Sequence, residues 1–342
     1  MTGDSMSSAA PDWRPSASRE RLQQRAAMFA RLRAFFAALG VLEVDTPQLI
    51  NFAVTDPHLH SAEVRWPATS AHQHSMPSRA RLPPRYLHTS PEYAMKRLLA
   101  SGSGDIYQLC HVFRGDEHGA VHNGEFSLLE WYRVGASMQT LMAELDALLR
   151  LLMAGTHLGA TRYLRYEQTF IDALDYNPLH DSEAKLRSCA GAHGVDVNLV
   201  RECSRDALLD LLMAARIGPQ LGLEGPTFVH HYPASQAALA RLDPSDSRVA
   251  LRFELYLHGV ELANGFEELA AAQEQRARFQ ADQRQRVILG LTVPAIDEYL
   301  MAALQAGLPA CAGVAVGLDR VLMLASGAAR IADVLPFTSE HA

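Results

Sequence analysis

The chain has 342 residues, 48% of them hydrophobic, which is enough for a large core in one big domain or two modest ones. Its formal net charge is −7, from 31 Lys and Arg against 38 Asp and Glu. That acidic surplus, with no basic stripe of interleaved aromatics, argues against a protein that holds nucleic acid mainly through its phosphates. An apolar run of about eighteen residues is absent, which argues against a membrane span.

Residues 1–18 are polar and rich in Ser, Ala and Pro, and they lack the apolar region of a signal peptide. We therefore predict a flexible tail at 1–18 and a folded domain at 19–342. Four cysteines stand far apart without a C-x-x-C pair: Cys110, Cys189, Cys203 and Cys311. This spacing argues against a zinc knuckle or a disulfide framework and indicates a reducing, cytoplasmic location.

The first predicted elements are a helix at 19–39, ended by Gly40, and a short strand at 41–47 that a proline closes. Residues 67–84 hold Pro, Ser, His and Arg without periodicity, which predicts a loop. His58, His60, His72 and His74 fall in or near this irregular stretch. We interpret them as solvated loop histidines in preference to metal ligands, since such a neighbourhood does not preform a site.

Further along the chain, strand-like runs alternate with turns between residues 86 and 133, which predicts antiparallel hairpins. The remaining predicted elements are a helix at 138–153, mainly helical structure at 166–215, strands at 227–232 and 249–262, a polar surface helix at 271–289, a helix at 296–306, and a glycine-rich strand running into a helix at 312–325. Hairpins with helices between them indicate an α+β fold with an antiparallel sheet. No Rossmann or P-loop fingerprint is present.

Three segments carry candidate chemistry. The first is the strand at 41–47, and the second runs from Phe113-Arg114-Gly115-Asp116-Glu117 through His122-Asn123-Gly124-Glu125-Phe126 to Glu130-Trp131-Tyr132-Arg133. The third is Gly313-Val314-Ala315-Val316-Gly317-Leu318-Asp319-Arg320. In this order and spacing they resemble the three signature motifs of class II aminoacyl-tRNA synthetases. The resemblance implies a catalytic domain at 19–342, a mainly antiparallel sheet flanked by helices, and a homodimer formed through the first motif.

Such enzymes activate a carboxylate with ATP, so two negatively charged groups must meet. Arg114 and Arg320 are the arginines placed to offset that repulsion, and each can give bidentate hydrogen bonds to phosphate oxygens. The implied ATP-binding set is Arg114, Gly115, Asp116, Glu117, Asn123, Phe126, Glu261, Leu262, Gly317 and Arg320, with Phe126 stacked on adenine. Glu254 and Glu261 supply hard oxygen ligands for Mg²⁺. Each residue alone has an ordinary structural explanation; the set does not.

Residues 89–96 (Thr-Ser-Pro-Glu-Tyr-Ala-Met-Lys) and 261–269 (Glu-Leu-Ala-Asn-Gly-Phe-Glu-Glu-Leu) resemble the lysyl-tRNA synthetase subgroup. A substrate with two ammonium groups needs at least two carboxylates, because an unpaired buried charge is costly. The resemblance places Glu92 near the amine beside the reacting carboxylate, and Glu130, Tyr132 and Glu268 at the distal amine. The full substrate-binding set is Ser90, Pro91, Glu92, Glu130, Tyr132, Asn264, Glu268 and Ala315.

Fewer than twenty residues precede the first predicted helix, so we expect no anticodon-reading OB domain. Nearly end to end, and notably at 131–133, 226–229 and 232–236, the chain resembles the elongation factor P (R)-β-lysine ligase family. That family uses ATP and Mg²⁺ to activate (R)-β-lysine and transfers it to the ε-amine of one lysine on elongation factor P, leaving AMP. A tRNA-charging enzyme and a non-catalytic regulatory paralogue are the alternatives. The acidic charge disfavours tRNA as a partner, and the presence of both arginines disfavours a regulatory paralogue.

Four positions depart from the related sequences. Ala315 replaces the glycine usual in lysyl-tRNA synthetases, and its methyl group narrows the pocket in keeping with a β-amino acid. Gly115-Asp116 stands where the family usually has Asn-Glu, and Gly124 replaces a proline. None of these changes removes a catalytic arginine, so we interpret them as changes that adjust substrate binding and leave the reaction the same.

Overall fold

The computed structural model describes residues 13–65, 84–115 and 117–342. Most of the predicted tail, Asp116, and the predicted 67–84 loop with His72 and His74, apart from Pro84, lie outside the described residues. Next to the tail, Ser16 donates its backbone N–H to the carbonyl of Pro336 at 2.9 Å, and Ala17 is buried. The chain therefore packs against the domain from about residue 16 onwards.

The predicted α+β fold with a mainly antiparallel sheet is confirmed. The strands are β1 (Leu42–Glu43), β2 (Leu49–Ile50), β3 (Glu63–Val64), β4 (Arg85–Leu87), β5 (Ile106–Phe113), β6 (Glu125–Val134), β7 (Arg162–Arg165), β8 (Thr227–Pro233), β9 (Leu242–Asp243), β10 (Asp246–Leu257), β11 (Val260–Glu267) and β12 (Cys311–Gly317). Nine form one sheet in the order β1-β5-β6-β12-β11-β10-β8-β7, with β9 paired to β10. Among the strands of the described ranges, only the β1–β5 and β7–β8 pairs are parallel, and β2-β4-β3 form a separate small sheet.

The helices are α1 (Arg19–Ala38), α2 (Glu92–Ala100), α3 (Met138–Leu152), α4 (Tyr166–Leu174), α5 (Glu183–Ala192), α6 (Val197–Glu202), α7 (Arg205–Leu212), α8 (Ala272–Ile288), α9 (Glu298–Gly307) and α10 (Leu318–Ala325). The predicted helices at 19–39, 138–153 and 296–306 are thereby confirmed within two residues. None of the helices in the described ranges is long and apolar enough to cross a membrane.

Local sequence explains where α1 begins and ends. The side chain of Ser18 accepts a hydrogen bond from the backbone N–H of Arg21, which caps the first turn. Gly40 follows the helix with a φ of +68°, the left-handed conformation that glycine adopts without strain. Between these ends, Met28, Leu32 and Phe36 recur every four residues and are buried.

One face of the large sheet carries the main hydrophobic core. Leu129 and Trp131 on β6 and Val314 and Val316 on β12 point into the layer formed with α1, α3 and α10. Because successive residues of a strand alternate between faces, their neighbours lie on the opposite face. That face is covered at one end by α2, α8 and α9 and at the other by α4–α7, which leaves a cleft between them.

One predicted element differs from the structure. The single strand expected at 249–262 is a hairpin, β10 and β11, turned at His258 and Gly259 with φ of +49° and +75°. The surface helix predicted at 271–289 is confirmed as α8, and the buried Arg286 anchors it. This side chain donates to the carbonyls of Thr55 and Asp56 at 2.9 and 2.8 Å, and so holds the segment that forms one rim of the cleft.

Candidate active site

The sheet beneath the cleft carries a row of residues that face each other across five antiparallel strands. Gln108 on β5 lies opposite Glu130 on β6, Glu130 opposite Ala315 on β12, Ala315 opposite Asn264 on β11, and Asn264 opposite Glu254 on β10. Directly opposed residues share a face of the sheet. Strand register thus brings together side chains that are widely separated in sequence.

The cleft has a volume of about 1650 Å³. Most of the residues predicted to bind ATP or amino acid line it: Ser90, Pro91, Glu92, Arg114, Glu117, Asn123, Phe126, Glu130, Tyr132, Glu261, Leu262, Asn264, Glu268, Ala315, Gly317 and Arg320. Gly115 and Glu254 do not line it, and Asp116 lies outside the described residues.

Two arginines mark one part of the cleft. Arg114 donates from Nη1 to Glu117 at 3.0 Å, and Nη2 of Arg320 lies 3.9 Å from the same carboxylate. Arg320 also donates to the backbone carbonyls of Val121 and Glu261, both at 3.0 Å. Backbone contacts therefore fix the arginine, and a carboxylate sits between two guanidinium groups where an anionic ligand would fit.

The predicted adenine contact, Phe126, lies beside Arg114, whose guanidinium is 5.1 Å from the ring centroid. Asn123 is less available than its predicted ligand contact requires. Its amide donates to the carbonyl of Glu125 at 2.6 Å and accepts from the backbone N–H of Ser339 at 3.1 Å. In this structure Asn123 ties the C-terminal segment to the loop between β5 and β6.

The other part of the cleft is an acidic pocket. Glu130 is buried, and its two oxygens accept hydrogen bonds from Ser90 and Tyr132, each at 2.7 Å. Burial, followed by the charge of Glu92, raises the pKa of Glu130 to about 7, although the Tyr132 and Ser90 hydrogen bonds oppose the rise. Glu130 is thus held rigidly and is partly protonated near neutral pH.

Glu268 lies at the end of β11 in the same pocket and is 4% exposed. Its Oε2 forms an ion pair with Nζ of Lys96 at 2.6 Å, and neither of its oxygens has a hydrogen bond in the described part of the chain. Burial raises the pKa of Glu268 to about 8; the charge of Lys96 opposes the shift and that of Glu92 adds to it. A buried acceptor left without a partner indicates a position that a ligand's donor can fill.

The two carboxylates expected to hold Mg²⁺ are in different situations. Glu254 accepts from Arg252 at 2.5 Å and from the Tyr256 hydroxyl at 2.6 Å, so both of its oxygens have protein partners. Glu261 lines the cleft, and burial followed by the charge of Glu254 raises its pKa to about 7. A divalent cation there would relieve that repulsion, and Mg²⁺ commonly takes only one or two protein carboxylates beside substrate phosphates. Hence Glu261 fits a Mg²⁺·ATP complex directly, with Glu254 behind it.

Sequence reasoning missed several residues that organise the site. Arg252 lies two residues before Glu254 on the same strand face, and it also donates to Asn264 at 3.1 Å and lies 4.4 Å over the ring of Tyr232. The period of two along a strand was a usable signal for it. Lys96, the last residue of the 89–96 segment, is a second such residue.

Asp319, in the third motif, is a third such residue, and it is almost fully buried. Its carboxylate pairs with Arg25 of α1 at 2.5 Å and accepts from the backbone N–H of Ser127 at 2.7 Å. These contacts join α1, β6 and α10. Because both of its oxygens have protein partners, we assign Asp319 to positioning the neighbouring Arg320 and not to binding a ligand. No local sequence signal predicts a partner so far along the chain.

The fold, the two arginines and the acidic pocket define a class of protein. Residues 5–341 match the family model for class II tRNA synthetases (D, K and N). The match covers almost the whole chain, and the chain belongs to this family. The class II fold expected from the three motifs is therefore confirmed.

Within that family the curated relatives are ligases. The chain is 47% identical over 328 residues to the elongation factor P–(R)-β-lysine ligase of Vibrio vulnificus, covering 95% of this chain and 98% of the relative. It is 48% identical over 326 residues to the ligase of the same name from Proteus mirabilis, covering 95% and 97%. The ligase of that name from Erwinia tasmaniensis is 47% identical over 329 residues. The predicted grouping with this ligase family is confirmed.

Proposed function

We propose that this enzyme activates (R)-β-lysine as an adenylate and transfers it to the ε-amine of one lysine on elongation factor P. The observation that carries the proposal is a single cleft with Arg114 and Arg320 in one part and a pocket of buried carboxylates in the other. The first part suits the phosphates of ATP, and the second suits an amino acid with two ammonium groups. The acceptor protein, elongation factor P, is taken from the names of the relatives, whose alignments cover 95% of the chain.

In the first step a carboxylate oxygen of the amino acid attacks the α-phosphorus of ATP, and the bond to pyrophosphate breaks. Arg114 lies between the backbone of Thr89, at the amino-acid pocket, and Phe126, which supports its assignment to the α-phosphate and the carboxylate. Arg320 is fixed by the carbonyls of Val121 and Glu261 for the γ-phosphate. Fixed guanidinium groups stabilise the growing negative charge without reorganising during the reaction.

Glu261, supported by Glu254, would hold Mg²⁺ against the phosphates, and the ion would neutralise part of their charge. ATP should displace Glu117 from Arg114 and Arg320, because its phosphates carry more charge than one carboxylate. The phosphates of ATP therefore take the place of the Glu117 carboxylate beside the two arginines.

In the second step the neutral ε-amine of the acceptor lysine attacks the carbonyl carbon of the adenylate. A new amide bond forms, the bond to AMP breaks, and the attacking nitrogen releases a proton. Glu92, Glu130 and Glu268 hold the two ammonium groups of the bound amino acid through both steps.

We further propose that residues 19–342 act as one catalytic domain and that the enzyme works as a homodimer through the segment at 41–47, as the class resemblance implies. Exposed Leu39 and Leu42 beside β1 support such a contact. Because its proposed substrates, ATP and a translation factor, are found in the cytoplasm, we place the enzyme there.

The test is the intact mass of elongation factor P after incubation with enzyme, ATP, Mg²⁺ and (R)-β-lysine. Parallel reactions contain L-lysine, lysine tRNA, or the Arg320→Ala enzyme as an inactive control. We expect a gain of one lysyl unit, larger with the β isomer and absent with the variant. Charged tRNA with no gain on the protein would overturn the proposal in favour of tRNA charging.

A further inference from the structure

The acidic pocket contains a cation of its own. Lys96, on α2, is 2% exposed, and its Nζ lies 2.6 Å from Oε1 of Glu92 and 2.6 Å from Oε2 of Glu268. The whole chain has two lysines and 29 arginines. One of the two lysines is therefore buried between the two carboxylates assigned to the two amines of the substrate.

We propose that Lys96 is a positioning residue of the amino-acid pocket: it contacts one oxygen of Glu92 and one of Glu268, and so holds both carboxylates in place for the ammonium groups of the substrate. This inference rests on the proposed function and deepens it. Lys96 joins the charged groups of the pocket to an element, α2, that does not belong to the sheet.

The hydrogen-bond pattern shows which oxygens remain for a ligand. Lys96 donates to Oε1 of Glu92 and forms an ion pair with Oε2 of Glu268, while Oε1 of Glu268 is buried with neither contact in the described residues. That free oxygen lies beside Gly313, where an added Cβ would come within 2.7 Å of it. The lysine thus leaves at least one oxygen of Glu268 free to accept a hydrogen bond from a ligand.

Charge counting supports a permanent role for Lys96 over displacement by the substrate. When the carboxylates of Glu92, Glu130 and Glu268 are all ionised they carry three negative charges, and the ammonium of Lys96 reduces the total to two. A diammonium substrate then neutralises the pocket fully. Without Lys96 the bound state would keep one uncompensated buried negative charge, which is costly.

The charged groups around Lys96 determine whether its pKa is raised or lowered, and Lys96 shifts their pKa values in return. The titratable groups that interact with it are Glu92 on α2, Glu130 on β6, Glu268 after β11, and Cys311 on β12. Burial works to lower the pKa of Lys96, but the charges of Glu268 and Glu92 outweigh it and raise that pKa. In return, the charge of Lys96 lowers the pKa of both Glu130 and Glu268. Lys96 therefore stays protonated, and it is not a nucleophile that would compete for the adenylate.

The test is amino-acid-dependent pyrophosphate exchange, measured between pH 6 and 9.5 for the wild type, Lys96→Gln and Lys96→Arg. Removing the charge should raise the KM for (R)-β-lysine by about 10²-fold at neutral pH. It should also move the pH midpoint of that KM upwards by about one unit or more, because an opposite charge has been lost. The KM for ATP should change less than twofold. Lys96→Arg keeps the charge, so its midpoint should stay while its KM rises.

Lys185→Gln is the matched control. Lys185 is the other lysine of the chain; it is half exposed and pairs with Asp181 at 2.8 Å on α5, away from the cleft, so its profile should match the wild type. If Lys96→Gln does not fold, Glu92→Gln decides the matter together with Lys96→Arg. Glu92→Gln should move the midpoint downwards, because the charge of Glu92 raises the pKa of Glu268.

An unshifted midpoint in Lys96→Gln, or a shifted one in Lys96→Arg, would overturn the role of Lys96 while leaving the proposed function intact. Wild-type enzyme without any amino-acid-dependent exchange would overturn the proposed function itself. The two failures are thus distinguishable in the same assay.

Discussion

Arg320 donates a hydrogen bond from Nη1 to the backbone carbonyl of Glu261 at 3.0 Å, so the arginine of the third motif is held by the strand that carries the proposed Mg²⁺ ligand. A second bond from Nε to the carbonyl of Val121 fixes the plane of the guanidinium. This arrangement orients Arg320 before ATP binds, which is the condition under which a fixed charge contributes most to catalysis.

We predict that Arg320→Ala lowers pyrophosphate exchange by about 10²- to 10³-fold, the usual effect of losing one such donor. The two backbone carbonyls that lose their donor remain near the open cleft, so the melting temperature should change little. Arg276→Ala is the control, because Arg276 forms an exposed ion pair with Glu298 at 2.6 Å and should keep full activity. Near-normal exchange in the Arg320 variant would remove this arginine from the mechanism.

The pKa values of the acidic pocket predict a pH dependence of amino-acid binding. Burial raises the pKa of Glu268 to about 8 and that of Glu130 to about 7, and both carboxylates must be ionised to pair with ammonium groups. As the pH falls from 9 to 6, both become protonated and the KM for the amino acid should rise by about 10- to 100-fold. The KM for ATP should rise by a smaller factor, because in that part of the cleft only Glu261, whose pKa is also raised to about 7, becomes protonated.

Glu268→Gln separates the two ionisations. This variant should bind the amino acid weakly at all pH values, and the upper step near pH 8 should vanish from its profile. An equal loss of ATP and amino-acid binding would contradict the assignment of Glu268 to the amino-acid pocket. So would a step near pH 8 that remained unchanged.

Gly313 leaves space for the acidic pocket. A Cβ at this position would lie 2.3 Å from the Tyr132 ring and 2.7 Å from Oε1 of Glu268. Gly313→Ala must therefore push both side chains away, at a cost of about 1–3 kcal/mol in unfolding free energy. We expect the KM for the amino acid to rise more than tenfold, measured by exchange, with the loss of stability measured by urea unfolding.

Gly191→Ala is the control for that glycine. Gly191 lies inside α5, and nothing stands within 4 Å of its added Cβ. The substitution should leave activity unchanged and raise stability by up to about 1 kcal/mol, the helix-propensity difference between the two residues. Normal amino-acid binding in the Gly313 variant would show that the pocket adapts without using this space.

The sequence predicts those parts of the fold that depend on local pattern. The helix α1 could be predicted because Met28, Leu32 and Phe36 recur at helical spacing between a serine cap and a glycine. The sequence predicts one strand where β10 and β11 form a hairpin, because His258 is an unusual first residue for a tight two-residue turn. Its left-handed φ becomes visible only when the two strands are seen paired.

The same limit applies to the site. Arg114 and Arg320 were found because their chemistry is carried by short motifs. Lys96 lies four residues after Glu92, which predicts that ion pair on a helix. Its second partner, Glu268, comes from the end of a distant strand, and only the folded chain brings the two together. Long-range ion pairs of this kind have no local signal in a single sequence.

Ala315 lies directly opposite Glu130 on β6 and Asn264 on β11, so its methyl group projects from the centre of the cleft floor. It lines the cleft between the acidic pocket and the arginines. We predict that Ala315→Gly lowers the preference for (R)-β-lysine over L-lysine by about 10- to 200-fold, the range that one methyl group commands in a tight pocket. The measurement is the ratio of kcat/KM for the two isomers in pyrophosphate exchange.

Ala312→Gly, on the same strand, distinguishes pocket shape from strand stability. Ala312 is fully buried in the core on the opposite face of the sheet, so its loss should destabilise the strand without changing the ratio. If both variants lower the ratio equally, the preference comes from the rigidity of β12. If only Ala315→Gly lowers it, the methyl group selects the isomer by occupying the space that the backbone of an α-amino acid requires.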